Sequence, residues 1–316
     1  MNRKNASFLS SAGRDLLEKS DIRLKTVLQE RDLLGLNFIR NSPPVVFRRH
    51  FRAGLRSHLF EVLQPEQVQR EVRGIRIKGQ LLFPRARPAK ILRLFRTRFH
   101  DLEEALREIE LVQLMIRFMV PGHVAQSQEF LVSYRHRGLH DILLCGLQEY
   151  IPGEILNPWG PLDDQVLANL LERATFSSFS QTPAESLNER IRRVREDVES
   201  FVGKVKLMIS ETNHIPDLAG IGNLILTPEG RLVLVDINNI SPVSPGKQIY
   251  RDDHGYPVCD KSVEALALLE RKLLNAPSPE RDPLYEHFLD PDRMRLVSKM
   301  VRRFIRAPGK ESEERS

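Results

Sequence analysis

The sequence predicts an α+β fold of two lobes, a small and mostly antiparallel β-sheet lobe followed by a larger, mostly helical one. Three observations carry this. From Val45 to Phe99 short apolar–polar alternations are punctuated by Pro and Gly, as strands and turns are. Beyond Ile151-Pro152-Gly153 the apolar residues recur at helical intervals instead. One hairpin signal interrupts the helical part: Leu224-Ile225-Leu226, the turn Thr227-Pro228-Glu229-Gly230, then Leu232-Val233-Leu234-Val235.

In chain order, apolar positions from Leu16 to Leu36 predict one or two amphipathic helices, an N-terminal extension over 1–44 that braces the first lobe. Strands are predicted at Val45–Phe47, Leu59–Leu63, Val72–Ile77, Leu81–Phe83 and Lys90–Phe95. A helix from about Asp101 to Met119 has an acidic first turn, which suits the positive end of its dipole, and Pro121-Gly122 as its stop. Strands at Glu129–Tyr134 and Asp141–Tyr150 complete a first lobe over 45–150. The second, 151–306, has helices at Leu162–Ala174, Glu185–Ile209, Ser262–Leu274 and Asp292–Ile305. In the longest, Ile191, Val194, Val198, Phe201, Val202 and Val205 mark a buried stripe. The tail 307–316 is polar enough to be disordered.

Composition excludes several classes. The 316 residues include 41% hydrophobic and 28% charged ones, ordinary globular values that rule out collagen-like and wholly disordered chains. Only Cys145 and Cys259 occur, without a C-x-x-C partner, so neither a disulfide scaffold nor a structural zinc site is expected. No stretch approaches the ~20 apolar residues of a membrane span, and the N-terminus has no apolar signal-peptide core, so a cytoplasmic protein is expected. The net charge of +6 is unevenly placed. Residues 1–120 hold 24 Lys+Arg and 13 Asp+Glu, net +11, leaving −5 for the remainder. A basic N-terminal third suits an anionic partner, whether phosphate, nucleic acid or a membrane surface.

The chemistry concentrates in His214–Ser241, HIPDLAGIGNLILTPEGRLVLVDINNIS. Asn223 enters the first strand of the hairpin and Asp236 leaves the second, so the tight turn makes them neighbours across thirteen positions. Asp217 lies on the preceding loop. Two carboxylates and an amide oxygen converging at a hairpin mouth form a hard-oxygen site suited to Mg²⁺. His214 reads as a structural hydrogen-bonding residue and Trp159 as a packing one.

This block resembles the catalytic loop and metal-binding segment of the protein-kinase-like superfamily, H-R-D-x-x-x-x-N, a short hairpin, then D-F-G. The resemblance implies a two-lobed kinase-like fold over roughly residues 45–275, with ATP and Mg²⁺ as cofactors. It implies Asp217 as catalytic base and Asn223 and Asp236 as metal ligands. Pro88-Ala89-Lys90-Ile91 resembles the V-A-I-K strand, which makes Lys90 the phosphate-binding lysine, with Arg93 as a rival. Glu108, eighteen residues on, would be its ion-pair partner, with Glu110 next in line. Gln148-Glu149-Tyr150-Ile151-Pro152-Gly153 resembles the hinge, so Glu149 and Ile151 would face an adenine.

The chain departs from the family pattern in four ways. Asp217 to Asn223 is six positions rather than five, and Asp236-Ile237-Asn238-Asn239 stands in place of D-F-G. No G-x-G-x-x-G occurs, Gly54-Leu55-Arg56-Ser57-His58 being the nearest candidate, and no A-P-E follows Asp236. The short segment after Asp236 resembles small-molecule kinases and bacterial kinases of the lipopolysaccharide-kinase type. Two functions are therefore expected: transfer of an ATP γ-phosphate to a hydroxyl of a sugar, a lipopolysaccharide core or a protein Ser/Thr, or a catalytically weak pseudokinase scaffold for a protein partner. Nucleic-acid binding by residues 1–100 has charge alone behind it.

Overall fold

A computed structural model describes residues 21–39, 44–51, 56–178, 185–246, 248–274 and 282–306. The chain forms two compact units, residues 1–109 with 126–150 and residues 110–125 with 151–316. Helices and small antiparallel sheets make the fold α+β.

In the first unit a 3-10 turn at Ile22–Leu24 and the single-turn helix α1 (Glu30–Leu33) precede β1 (Val46–Arg49) and β2 (Ser57–Leu63). Helix α2 (Pro65–Arg73) and a hairpin, β3 (Ile75–Ile77) and β4 (Gln80–Leu82), come next. Then follow β5 (Lys90–Phe95), α3 (Leu102–Met119), β6 (Ser127–His136) and β7 (Leu139–Glu149); α3 from residue 110 onward belongs to the second unit, its Val112, Met115 and Met119 buried in that unit's core. The five-stranded sheet is antiparallel throughout, in the order β1-β2-β5-β7-β6. Phe60, Leu92, Leu94, Tyr134, Leu143 and Cys145 fill its core face.

Two expectations are corrected by the structure. Residues 21–39 form short turns rather than long amphipathic helices, and Ile22, Leu28, Leu33 and Leu36 are buried in the same core as the strands. Their apolar spacing answers to the sheet they cover, not to a helical face; Leu16 and Leu17 lie outside the described residues. Val72 and Arg73 end helix α2 instead of opening a strand. Pro65 suits the helix's first turn, and Gly74 at φ +74° stops it. Gly54, Leu55 and the tail 307–316 also lie outside the described residues.

The second unit contains β8 (Glu154–Ile155), α4 (Asp164–Ser178), α5 (Leu187–Thr212), β9 (His214–Ile215), β10 (Leu224–Leu226), β11 (Leu232–Leu234) and β12 (Ser241–Pro242). Helices α6 (Val258–Leu273), α7 (Pro283–Phe288) and α8 (Pro291–Arg306) complete it. Helix α5 starts in a capping box, the Ser186 hydroxyl accepting from the Glu189 amide while the Glu189 carboxylate accepts from Ser186. Its predicted stripe is buried in full, packed with the strands of the hairpin and with α6. Among the described residues no helix is long and apolar enough to cross a membrane.

Candidate functional site

Helix α5 ends at Asn213, whose left-handed backbone (φ +54°) turns the chain so that its amide donates to Ile209 O at 2.9 Å. The chain then enters β9, which pairs antiparallel with β12, Ile215 opposite Ser241. Continuing that register by two residues sets Asp217 across from Asn239. The Asn239 Nδ2 accordingly donates to Asp217 Oδ2 at 2.9 Å. The second convergence comes from the hairpin β10–β11, which pairs Leu224 with Leu234. Val235 N donates to Asn223 O at 2.8 Å, placing Asn223 beside the start of the Asp236 segment. Asn223 Nδ2 in turn donates to the Asp217 carbonyl at 2.9 Å. Two independent antiparallel pairings thus gather Asp217, Asn223, Asp236 and Asn239.

The Asp217 loop is anchored from outside. Leu218 N donates to the Ser262 hydroxyl at 3.0 Å, and the Trp159 indole N–H to Ala219 O at 3.1 Å. Gly220 is needed for close approach, because a Cβ there would lie 2.5 Å from Asn223 Oδ1.

The electrostatics follow from burial. Asp217 is 9% exposed and Asn223 8%. Desolvation, then the neighbouring charge of Asp236, push the Asp217 carboxyl up to about 7, against the hydrogen bonds from Asn239, Ala219 and Gly220 that favour its ionised form. A carboxyl at about 7 can accept or release a proton near neutrality. Asn223 commits its amide nitrogen to the Asp217 carbonyl and has its Oδ1 left to offer. The oxygen donors of Asn223, Asp236 and Asp217 are the types a hard divalent cation takes. Asn238 is 2% exposed, and neither polar atom of its side chain has a partner among the described residues. Such an orphaned buried amide is costly unless something bonds to it.

Two neighbours carry more than their sequence signal. By sequence Asn239 reads equally well as a turn residue. Tyr256 has no motif around it, yet burial and then the charge of Asp217 raise its phenol well above the usual range. It is held by Asp252, whose Oδ1 accepts from Tyr256 N at 2.8 Å, and by its ring 4.9 Å from that of Phe304. His214 bonds through Nδ1 to Thr212 O at 2.7 Å.

The remaining predicted residues fall in the first unit or at the division. Lys90 opens β5 with its side chain exposed. Glu108 is ion-paired at 3.6 Å with Arg56, an arginine ahead of β2, and not with Lys90. Strand alternation puts Lys90 and Arg93 on opposite faces of the sheet. Arg93 is buried, its Nη1 donating to Gln148 Oε1 at 3.5 Å and its guanidinium 5.1 Å from the Phe95 ring centre. Glu149 ends β7, exposed, with its amide donating to Gln126 O at 2.8 Å. Ile151 opens the second unit's long segment, half-buried.

Among the described residues one other group has metal-ligand composition, Asp21, His136 and Asp141. The Arg23 guanidinium already occupies it, bonding to both oxygens of Asp21 and to Asp141, with His136 Nε2 at 3.3 Å. Despite burial, these bonds hold the Asp21 carboxyl below the usual range. A side-chain cation fills the place an ion would take. No family model and no curated protein matches the chain.

Proposed function

We propose that the chain is a Mg²⁺-dependent phosphotransferase that moves the γ-phosphate of ATP to a hydroxyl acceptor, on a two-lobed kinase-like fold in a cytoplasmic setting where Mg-ATP is present. The observation that carries this reading is the convergence of Asp217, Asn223 and Asp236 on one hairpin mouth, with Asp217 raised to about 7 by burial and by Asp236. The five-stranded antiparallel sheet of the first unit, in the order β1-β2-β5-β7-β6, also supports this reading. Asp236 and Asn223 Oδ1 would hold the cation. When bound, Mg²⁺ supplies charge neutralisation for the phosphates.

The chain's own residues have distinct tasks. Asp217, oriented by Ala219 N and the Asn239 amide, would accept the proton of the acceptor hydroxyl as its oxygen attacks phosphorus. Asn223 holds the backbone of Asp217 and so sets the carboxylate's position. Such sites act mainly through positioning and electrostatics. Lys90 or Arg93 is the proposed phosphate-neutralising residue, and Glu149 and Ile151 the proposed adenine-facing ones.

The pairing of Glu108 with Arg56 favours the second reading, a catalytically weak scaffold, because it leaves Lys90 without the carboxylate that would hold it in place. A thermal-shift titration with ATP, with and without Mg²⁺, tests the site itself. Saturation near 100 Kd stabilises a native state by about 2.7 kcal/mol, a rise of several degrees. The shift should require Mg²⁺ and vanish in Asp236→Ala while the unliganded variant still melts cooperatively. A wild-type protein that ATP and Mg²⁺ leave unmoved overturns the proposal.

A further inference from the structure

Between β2 and β5 the chain leaves the sheet for residues 64–89 and returns. This excursion has a firm base. Arg48 Nη1 donates to Glu71 of α2 at 2.9 Å, Arg48 Nη2 donates to Ala86 O at 3.0 Å, and Arg87 N donates to Gln67 Oε1 at 3.0 Å. Its outer part is different. Hairpin β3–β4 forms a two-stranded sheet of its own, Ile75 paired with Leu82 and Ile77 with Gln80 around the left-handed turn Lys78-Gly79. Isolated two-stranded hairpins are marginal in water. Yet Val72, Ile77, Leu81, Leu82 and Phe83 are 73%, 48%, 47%, 43% and 61% exposed, and none belongs to either core of the described residues.

The apolar side chains occupy both faces of the hairpin. Ile77 and Leu82 share one, by strand alternation. Leu81 and Phe83 share the other, where they close over Gly74, leaving 2.8 Å and 3.1 Å from a Cβ built there. A protein groove would cover one face and leave the other wet, whereas an acyl–headgroup boundary surrounds a projecting hairpin. The charge agrees. Residues 65–90 hold seven Lys+Arg against two Asp+Glu, net +5, with Arg70, Arg73, Arg76 and Lys78 exposed around the apolar side chains. That sign repels a second copy of the same surface and attracts anionic lipid. The size fits as well, since three-residue strands span about 10 Å and interfacial elements sink about 5–10 Å.

We infer that residues 65–87 are a membrane-docking module, in which the β3–β4 hairpin seats Ile77, Leu81, Leu82 and Phe83 at the surface of an anionic bilayer while the flanking arginines and Lys78 meet lipid phosphates. The inference is independent of the phosphotransfer reading, and its test involves no nucleotide.

The test is co-sedimentation of the full chain with vesicles of phosphatidylcholine mixed with phosphatidylglycerol, beside vesicles of phosphatidylcholine alone. Binding is expected to the mixed vesicles only, at least tenfold weaker in Leu81→Ser/Phe83→Ser and again in Arg73→Glu/Arg76→Glu. These positions are exposed, so the melting temperature should not move. Because Cys145 and Cys259 are both buried, a polarity-sensitive dye on a Leu81→Cys variant reports insertion selectively, with a blue shift on mixed vesicles. Failure of the wild type to bind them overturns the inference. So does binding that survives the double serine change with no dye shift, which would mark a purely electrostatic surface for an acidic protein or nucleic acid.

Discussion

Asp217 has a price in stability that the site accepts. Its folded-state value of about 7 stands above the ordinary 3.8, so between those values the folded protein holds a proton that the unfolded chain has released. The sign follows from linkage: stability is greatest below about pH 4 as far as this group is concerned, falls as pH rises toward 7, and is flat beyond. The full loss is on the order of 4 kcal/mol. Asp236→Asn removes the like charge while keeping the shape, so it should flatten the profile and raise the melting temperature by a few degrees at pH 8, with a chelator present. Calorimetry across that pH range checks this, and a variant whose profile overlays the wild type would show that burial alone raises Asp217. Removing a proposed metal ligand is thus expected to stabilise the cation-free protein, as often happens where activity requires a destabilised site.

At the scale of elements, the hairpin that carries Asn223 and Asp236 depends on a buried polar junction with α5. Asp197 Oδ2 accepts from Leu232 N at 2.6 Å, and the His123 Nδ1–H donates to Leu232 O at 3.1 Å. Burial moves the His123 imidazole below its ordinary range and the Asp197 carboxyl above its own, against the hydrogen bond from Leu232 N that favours the carboxylate. Asp197→Ala leaves the Leu232 amide without its acceptor and should cost about 1–3 kcal/mol in denaturant unfolding. Asp197→Asn retains an acceptor oxygen and should cost less than half as much; equal losses would show that the carboxylate's charge, not the acceptor, matters. The hairpin itself is legible in residues 224–235, because alternation and a Pro-Glu-Gly turn are local signals. Its junction with His123 is not, since that pairing joins residues 109 positions apart.

For the whole molecule, the segment before the sheet determines whether the first unit has a closed core. Ile22, Leu28, Leu33 and Leu36 are each under 8% exposed and cover Phe60, Leu92 and Leu94. Full burial of such side chains is worth roughly 1.5–3 kcal/mol apiece, so the four together approach the 5–15 kcal/mol by which a domain is stable. A chain beginning at residue 45 should therefore lose cooperative unfolding of its first unit, seen as loss of slow hydrogen exchange in β2, β5 and β7. Persistent protection in those strands would reduce residues 21–39 to an accessory. The Arg23 network with Asp21, Asp141 and Arg98 ties the same segment down.

By itself the sequence determined the elements with strong local periodicity or turn chemistry: the α5 stripe, the helix after β5, strands β1, β2, β5, β6 and β7 of the first unit's main sheet, and the hairpin mouth where Asn223 meets the Asp236 segment. Tertiary structure alone decided which long-range register each element takes. It set Asn239 opposite Asp217 through β9–β12, set Tyr256 where the charge of that carboxylate acts on it, and gave Glu108 to Arg56. The reason is physical. Periodicity reports which side of an element is apolar, whereas a buried charge finds its partner through backbone pairings between segments far apart in the chain, and those pairings leave no local trace.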